Sequence, residues 1–251
     1  MSGSTRVAFV SGAAQGIGLK IALRLADDGL DVAVNDIASK KDQLEEVVAQ
    51  IKAKGRRAIA VPGDVSVEDE VRDIIDKVAA DLGGLDVLVA NAGLLLVKAV
   101  QDIEAEEWDR VFAVNVRGTM LQYKYAARQM IKQGRGGRIL GASSVAGKRG
   151  WGGISAYSAS KFAVRGLTQC LYAPAIELAQ HNITVNAYAP GIVMTQMAQD
   201  LGDGLVRVGM PAEIPVGHPD SVASIVSYLA KPEASFVTGQ SISPNGGAVL
   251  D

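Results

Sequence analysis

The chain of 251 residues is short of several things, and each shortage removes a class of function. A single cysteine, Cys170, rules out an intrachain disulfide and gives no sign of an oxidising compartment. It lies in an apolar helical stretch, where a buried structural thiol is expected. Histidine is limited to His181 and His218, and no Cys/His/carboxylate cluster has ligand spacing, so no metal is expected. No apolar run approaches the roughly 20 residues that span a bilayer, and the polar start MSGSTR has no signal-peptide core. An excess of one charge is also missing. The formal net charge of −2 gives no reason to bind nucleic acid or a membrane surface. The basic stretch 132–138, KQGRGGR, has no interleaved aromatics and is expected to be a solvated turn. What remains is the expectation of a soluble cytoplasmic protein.

Hydrophobic residues, at 48%, are plentiful, and 28 glycines against 8 prolines favour many tight strand–helix turns. Strand-length apolar runs at 7–10, 32–35, 58–61, 87–90, 138–142, 184–189 and 240–243 alternate with helical periodicity. The helical stretches fall at about 16–28, 42–54, 67–82, 104–133, 157–181 and 221–229. Ser66 reads as the N-cap of the third helix, with Asp69 completing a capping box. Strict β–α alternation implies an α/β fold, a single doubly wound Rossmann-type domain over 1–251 with a parallel sheet of about seven strands. Such sheets bind ligands outside the carboxyl ends of their strands.

The first strand runs into Ser11-Gly12-Ala13-Ala14-Gln15-Gly16-Ile17-Gly18. Glycines permit a tight turn and close approach of backbone to ligand, and the following helix aims its N–H groups at a pyrophosphate. About 20 residues on, Asp36 closes the second strand, where a carboxylate can accept from adenosine ribose hydroxyls. A 2′-phosphate there would be repelled, so the cofactor expected is NAD. Lys40 and Lys41 follow closely; either could fold back towards a phosphate, and a solvated helix start is the reading preferred for both.

The spacing of Gly12, Gly16 and Gly18, G-x3-G-x-G, resembles that of the short-chain dehydrogenase/reductase family. Further matches run along nearly the whole chain: Asn91-Ala92-Gly93 after the fourth strand, Asn115 in a helix, Ser144, and Tyr157-x3-Lys161 thirteen residues later. Pro190-Gly191 followed by Thr195 matches the nicotinamide segment. The resemblance implies a catalytic set of Asn115, Ser144, Tyr157 and Lys161. It also implies a cofactor set of Gly12, Gln15, Gly16, Ile17, Gly18, Asp36, Ile37, Asp64, Val65, Asn91, Gly93, Tyr157, Lys161, Pro190, Gly191, Val193 and Thr195. Tyr157 and Lys161, four apart on a helix, share one face. A phenol of pKa about 10 is a poor base near neutral pH, and a neighbouring ammonium lowers it. In this reading Tyr157 exchanges the proton, Ser144 holds the substrate oxygen and Lys161 holds the nicotinamide ribose. Asn115 positions a water that links Lys161 to solvent. Ser143 is the competing serine, assigned to backbone groups at the strand end.

YSASKFAVRGLTQ and PGIVMTQM are similar to the acetoin/butanediol dehydrogenase branch, and that resemblance implies a substrate lid, here short, at about 192–216. The expected reaction is interconversion of a secondary alcohol and a ketone. Leu94, Leu95, Leu96, Trp151, Ile154, Met194 and Met197 sit where an apolar, uncharged substrate would be lined, with Arg149 nearby. Two rivals remain: a 3-oxoacyl-carrier-protein reductase, and a non-catalytic dinucleotide sensor on the same fold. A homotetramer is expected, with a dimer as the fallback because Pro174 should kink or break the helix that follows Tyr157.

Overall fold

A computed structural model describes residues 5–171, 178–201 and 215–250. Its strands are β1 (Val7–Ser11), β2 (Asp31–Asn35), β3 (Ala58–Ala60), β4 (Val87–Ala90), β5 (Gly137–Ala142), β6 (Ile183–Tyr188), β7 (Ile192–Val193), β8 (Val216–Gly217) and β9 (Ser241–Ile242). Seven of them form one parallel sheet in the order β3-β2-β1-β4-β5-β6-β9. The strand order reverses between β1 and β4, and at such a reversal the connections diverge to leave a crevice. β7 and β8 pair separately, also in parallel.

Helices α1 (Gly16–Asp27), α2 (Lys41–Ala53), α3 (Glu68–Leu82), α4 (Ala105–Phe112), α5 (Thr119–Gln133), α6 (Ser155–Leu171), α7 (Gln196–Leu201) and α8 (Pro219–Ala230) complete the fold. Alternation along β1 sets the two layers. Ala8 and Val10 join the core beneath α1, α2 and α8, and Val7 and Phe9 join that beneath α3 and α5. The fold is therefore the doubly wound Rossmann type, and the apolar runs locate every strand of the main sheet to within a residue or so.

Several local expectations change. Helix α3 has Val67, not Ser66, at its N-cap. Asp64 captures the Ser66 N–H at 2.8 Å through its carboxylate, and its carbonyl accepts from Val67. This turn delays the helix, and Asp69 pairs with Arg72 at 2.7 Å instead of closing a capping box. The helical stretch 104–133 is broken by a π-helical segment, Ala113–Gly118, between α4 and α5. Cys170 is exposed, not buried, because it lies off the inward face of α6. The 132–138 stretch is no free turn either. Arg135 meets the Asp86 carboxylate at 2.6 and 3.0 Å, and Arg138 is buried against backbone carbonyls. Pro174 lies outside the described residues, as does 202–214 of the segment read as a lid.

The far edge of the sheet depends on one buried carboxylate. Asp31 Oδ1 accepts from the Arg57 N–H and from the Arg56 side chain, each at 2.9 Å, and Oδ2 accepts from the Arg57 side chain at 2.8 Å. Arg57 continues to the Leu82 carbonyl, tying β2 and the start of β3 to the end of α3. Burial pushes the Asp31 carboxyl up, but the Arg57 N–H and the two arginine side chains outweigh it and hold the group below its ordinary value. A depressed folded pKa contributes stability above the unfolded value, and that contribution disappears as pH falls through the folded one. Asp31→Asn should cost about 1–3 kcal/mol near neutral pH in denaturant unfolding. The gap from wild type should shrink below about pH 4. A gap that stays constant into acid would remove the ionised carboxylate as its source.

Candidate active site

The carboxyl ends of β1, β2, β4, β5 and β6 open onto one cavity of about 430 Å³. Its floor at the strand reversal is a braced junction. Asn91 Nδ2 donates to the carbonyls of Ser11 and Gly12 at 3.0 and 3.2 Å, and Asn91 Oδ1 accepts from the Tyr188 hydroxyl at 3.0 Å. Ser11 Oγ accepts the N–H groups of Asn91 and Ala92 at 3.0 and 3.1 Å. Strands β1, β4 and β6 are thereby fixed to one another where they release their loops.

The glycines of the first turn have separate reasons. Gly12 and Gly16 have φ of 62° and 60°, a region costly to any residue with a Cβ. At Gly18 the constraint is contact: a Cβ would stand 2.2 Å from the Gly12 carbonyl oxygen, so α1 starts flush against the turn. Asp36, at the end of β2, accepts the Ala14 N–H at 3.2 Å and the Ile37 N–H at 2.9 Å. Lys40 stands half-buried at the start of α2, where a helix start was expected. Its Nζ reaches back to Gln15 Oε1 at 3.3 Å.

Tyr157 and Lys161 face the other end of the cavity from α6. Lys161 is buried, with Nζ donating to the Ala142 carbonyl at 2.8 Å and lying 5.4 Å from the Tyr157 ring centroid. The Tyr157 hydroxyl is hydrogen-bonded to Ser144. Ser144 Oγ also accepts the Ala146 N–H at 3.1 Å, capping a 3₁₀ turn. Ser143 Oγ donates to the Lys161 carbonyl at 3.0 Å, the backbone role expected for it. Burial pushes the Tyr157 phenol up, with the Ser144 hydrogen bond pulling against it, and lowers the Lys161 amine to about 8. Burial thus drives both groups towards neutrality, whereas sequence reasoning anticipated a phenol lowered by its ammonium neighbour.

Asn115 is completely buried in the π-helical segment. Its Oδ1 accepts the Leu94 N–H at 2.7 Å, and Nδ2 donates to the Leu94 carbonyl and to Ser160 Oγ, both at 2.9 Å. Both amide hydrogens are therefore engaged, and they clasp the Asn91-Ala92-Gly93 loop to the residue before Lys161.

Gly12, Gln15, Gly16, Ile17, Asp36, Ile37, Asp64, Val65, Asn91, Gly93, Tyr157, Lys161, Pro190 and Thr195 line the cavity. Gly18, Gly191 and Val193 stand behind the lining: Gly191 packs on Asn245 and Val193 is buried in the core. Ser144 and Asn115 are not in the lining, whereas Ser143, the competing serine, is. Of the proposed apolar residues, Leu94 and Met197 reach the cavity. Leu95 and Trp151 pack with Tyr157 on Ala146 and Ile154, and Arg149 lies over the Trp151 ring at 4.8 Å. Sequence reasoning missed Arg110, Val114 and Tyr188 in the lining. For Tyr188 a signal was present, since a hydroxyl-bearing side chain ends an otherwise apolar strand at its carboxyl edge. Among the described residues no group of three or more His, Cys, Asp or Glu could hold a metal, and no helix is long and apolar enough to cross a membrane.

A short-chain dehydrogenase/reductase of Armillaria gallica is 48% identical over 98% of this chain and 97% of its own length. The 3-oxoacyl-[acyl-carrier-protein] reductase of Staphylococcus aureus is 42% identical over 98% and 99%. The L-2,3-butanediol dehydrogenase of Corynebacterium glutamicum is 40% identical over 98% and 100%. Among solved structures, a short-chain dehydrogenase/reductase of Mycobacterium marinum superposes with a TM-score of 0.91 at 36% identity, covering 99% of this chain and 97% of that one. A short chain dehydrogenase of Burkholderia cenocepacia in complex with NADP gives 0.88 at 38%, covering 98% of each. Residues 6–205 match the short chain dehydrogenase family itself, and the chain belongs to that family of nicotinamide-dinucleotide oxidoreductases.

Proposed function

We propose that this chain is an NAD(H)-dependent oxidoreductase that interconverts a secondary alcohol and a ketone. The reading is carried by one observation: a single cavity joins a carboxylate at the end of β2 to a Tyr–Lys pair on α6. The donor set fits a dinucleotide, because the turn offers backbone without side chains at Gly12, Gly16 and Gly18. The nicotinamide supplies or accepts the hydride when bound. In the reductive direction Tyr157 gives its hydroxyl proton to the alkoxide oxygen that develops on the substrate, and in the oxidative direction it takes that proton back. Ser144 orients the substrate oxygen and the phenol together. Lys161 holds the nicotinamide ribose and keeps positive charge beside the phenol. Asn115 is a positioning residue that holds Lys161 in register through Ser160 and steadies the route by which the lysine recovers a proton.

Tyr157→Phe keeps the ring packing and removes the proton, so turnover should fall about 10²–10⁴-fold with dinucleotide affinity nearly kept. Turnover above about a tenth of wild type would remove Tyr157 from the acid–base role. A panel of diketones, hydroxyketones and larger apolar alcohols addresses the substrate, and turnover confined to acyl thioesters would assign the chain to 3-oxoacyl reduction instead.

For the cofactor, Asp36 decides the reading. Like charges about 4 Å apart repel by about 1 kcal/mol in water and about 4 kcal/mol at an effective dielectric of 20. NAD(H) should therefore be preferred roughly 5-fold to 10³-fold in kcat/KM. Asp36→Ala should erode that preference, and a wild-type preference for NADP(H) would overturn it. We also propose a homotetramer. Light scattering that gives a stable monomer at micromolar concentration would refute that assembly.

A further inference from the structure

A second cavity, of about 280 Å³, lies at the amino ends of β5 and β6, the opposite end of these strands from the Tyr–Lys pair. Arg135, Arg138, Asn182, Thr184, Ser235 and Thr238 supply its polar lining, and among the described residues no carboxylate lines it. Arg135 is paired already, with Asp86 at 2.6 and 3.0 Å. Arg138 is not. It is buried, and its contacts are neutral carbonyls: Gly137 at 2.9 Å, Pro232 at 3.3 Å, Lys231 at 3.4 Å and Asn182 at 3.5 Å. Burial and the nearby charge of Arg6 both lower the Arg138 guanidinium from its ordinary value, with no carboxylate offsetting them. A buried charge without a counter-charge is costly. Thr184, beside it on β6, is buried with an Oγ1 that has no hydrogen-bond partner. Thr238 Oγ1 accepts the Val185 N–H at 3.1 Å, which leaves its hydroxyl hydrogen to donate elsewhere.

We propose that this cavity is a binding site for a phosphate oxyanion, as inorganic phosphate or as a small phosphate monoester, held by Arg138 with Thr184 and Thr238 as neutral donors. A guanidinium presents five N–H donors in a planar fork, the geometry that suits a phosphate. Three of the four carbonyl contacts of Arg138 are 3.3 Å or longer, and such contacts yield to a charged acceptor. The anion neutralises a charge that burial penalises. It also joins the starts of β5 and β6 to the residues that follow α8, which Arg138 already touches at Lys231 and Pro232. This site is separate from the first cavity and does not depend on the dinucleotide reading.

The test is equilibrium dialysis of the full chain against inorganic phosphate, at constant ionic strength set with chloride, with thermal unfolding in chloride as the check on each variant's fold. The wild type should bind phosphate saturably below about 10 mM, and bound phosphate should raise its Tm. Thr184→Val keeps the shape and removes a hydroxyl that has no partner within the protein, so its Tm in chloride should be equal or higher. Its phosphate affinity should nevertheless fall about tenfold, the scale of one hydrogen bond to a charged group. Arg138→Gln should abolish saturable binding and Arg138→Lys should keep part of it. If the Arg138 variants do not fold, Thr184→Val decides alone. Glycerol 1-phosphate dialysed in parallel identifies the source: tighter binding selects the monoester, equal or weaker binding the free ion. Absence of saturable binding of either probe by the wild type, or an affinity unchanged in Thr184→Val, overturns the proposal; the second outcome would place the ion elsewhere, as at the glycine turn of the first cavity.

Discussion

The side-chain amide of Asn91 is the interaction on which the site depends. The connections that diverge at the reversal leave carbonyls without a ladder partner, and a buried carbonyl without a donor is costly. Asn91 supplies both donors, to Ser11 and Gly12, and fills its own acceptor with the Tyr188 hydroxyl. Gly12 can then keep a positive φ and lie so close to β4 that a Cβ would stand 2.9 Å from the Ala92 Cα. The glycine turn is thus held from behind by the strand that leads to the Asn91-Ala92-Gly93 loop. A change at Asn91 would loosen the glycine turn and the Ala92-Gly93 loop together.

The same economy holds on α6. Lys161 is fixed at both ends, its carbonyl by Ser143 and its ammonium by Ala142, from consecutive residues at the end of β5. Gly147 lies so near that a Cβ would be 2.6 Å from the Lys161 carbonyl oxygen. Adjacent serines therefore divide the work: Ser143 holds the helix backbone, and Ser144 turns its hydroxyl to the phenol.

Strands and glycines were legible in the sequence because their signals are local. Full burial makes β1 an unbroken apolar run, and positive φ or close approach leaves glycine as the residue that fits. What escaped depends on contacts distant in sequence. Nothing in the residue types of 113–118 announces a π-helical turn. Asn115 reads as a free amide until Leu94 and Ser160 are seen to engage it. Arg135 and Arg138 look like a solvated basic turn because Asp86 lies 49 residues from Arg135 and the Arg138 contacts reach carbonyls 93 and 94 residues away. Ser66 has the composition of a cap, but Asp64, two residues earlier, takes its N–H first. Lys40 shows the same limit, since a side chain with four rotatable carbons can be placed by its partner but not by its position.

The electrostatics of the Tyr157–Lys161 pair follow from this rigidity. Burial penalises the charged form of each group, raising the phenol and lowering the ammonium to about 8. Lys161 Nζ stands 5.4 Å from the Tyr157 ring centroid. A neutral phenol beside an ammonium is suited to protonating an alkoxide. The same pair, one proton poorer, is suited to taking the proton from an alcohol. In the proposed reaction, a positive charge brought to the cavity would favour the second state and a neutral group the first. Since Ala142 and Ser143 fix Lys161 by hydrogen bonds at both ends, that coupling acts through charge at fixed positions and requires no movement of α6.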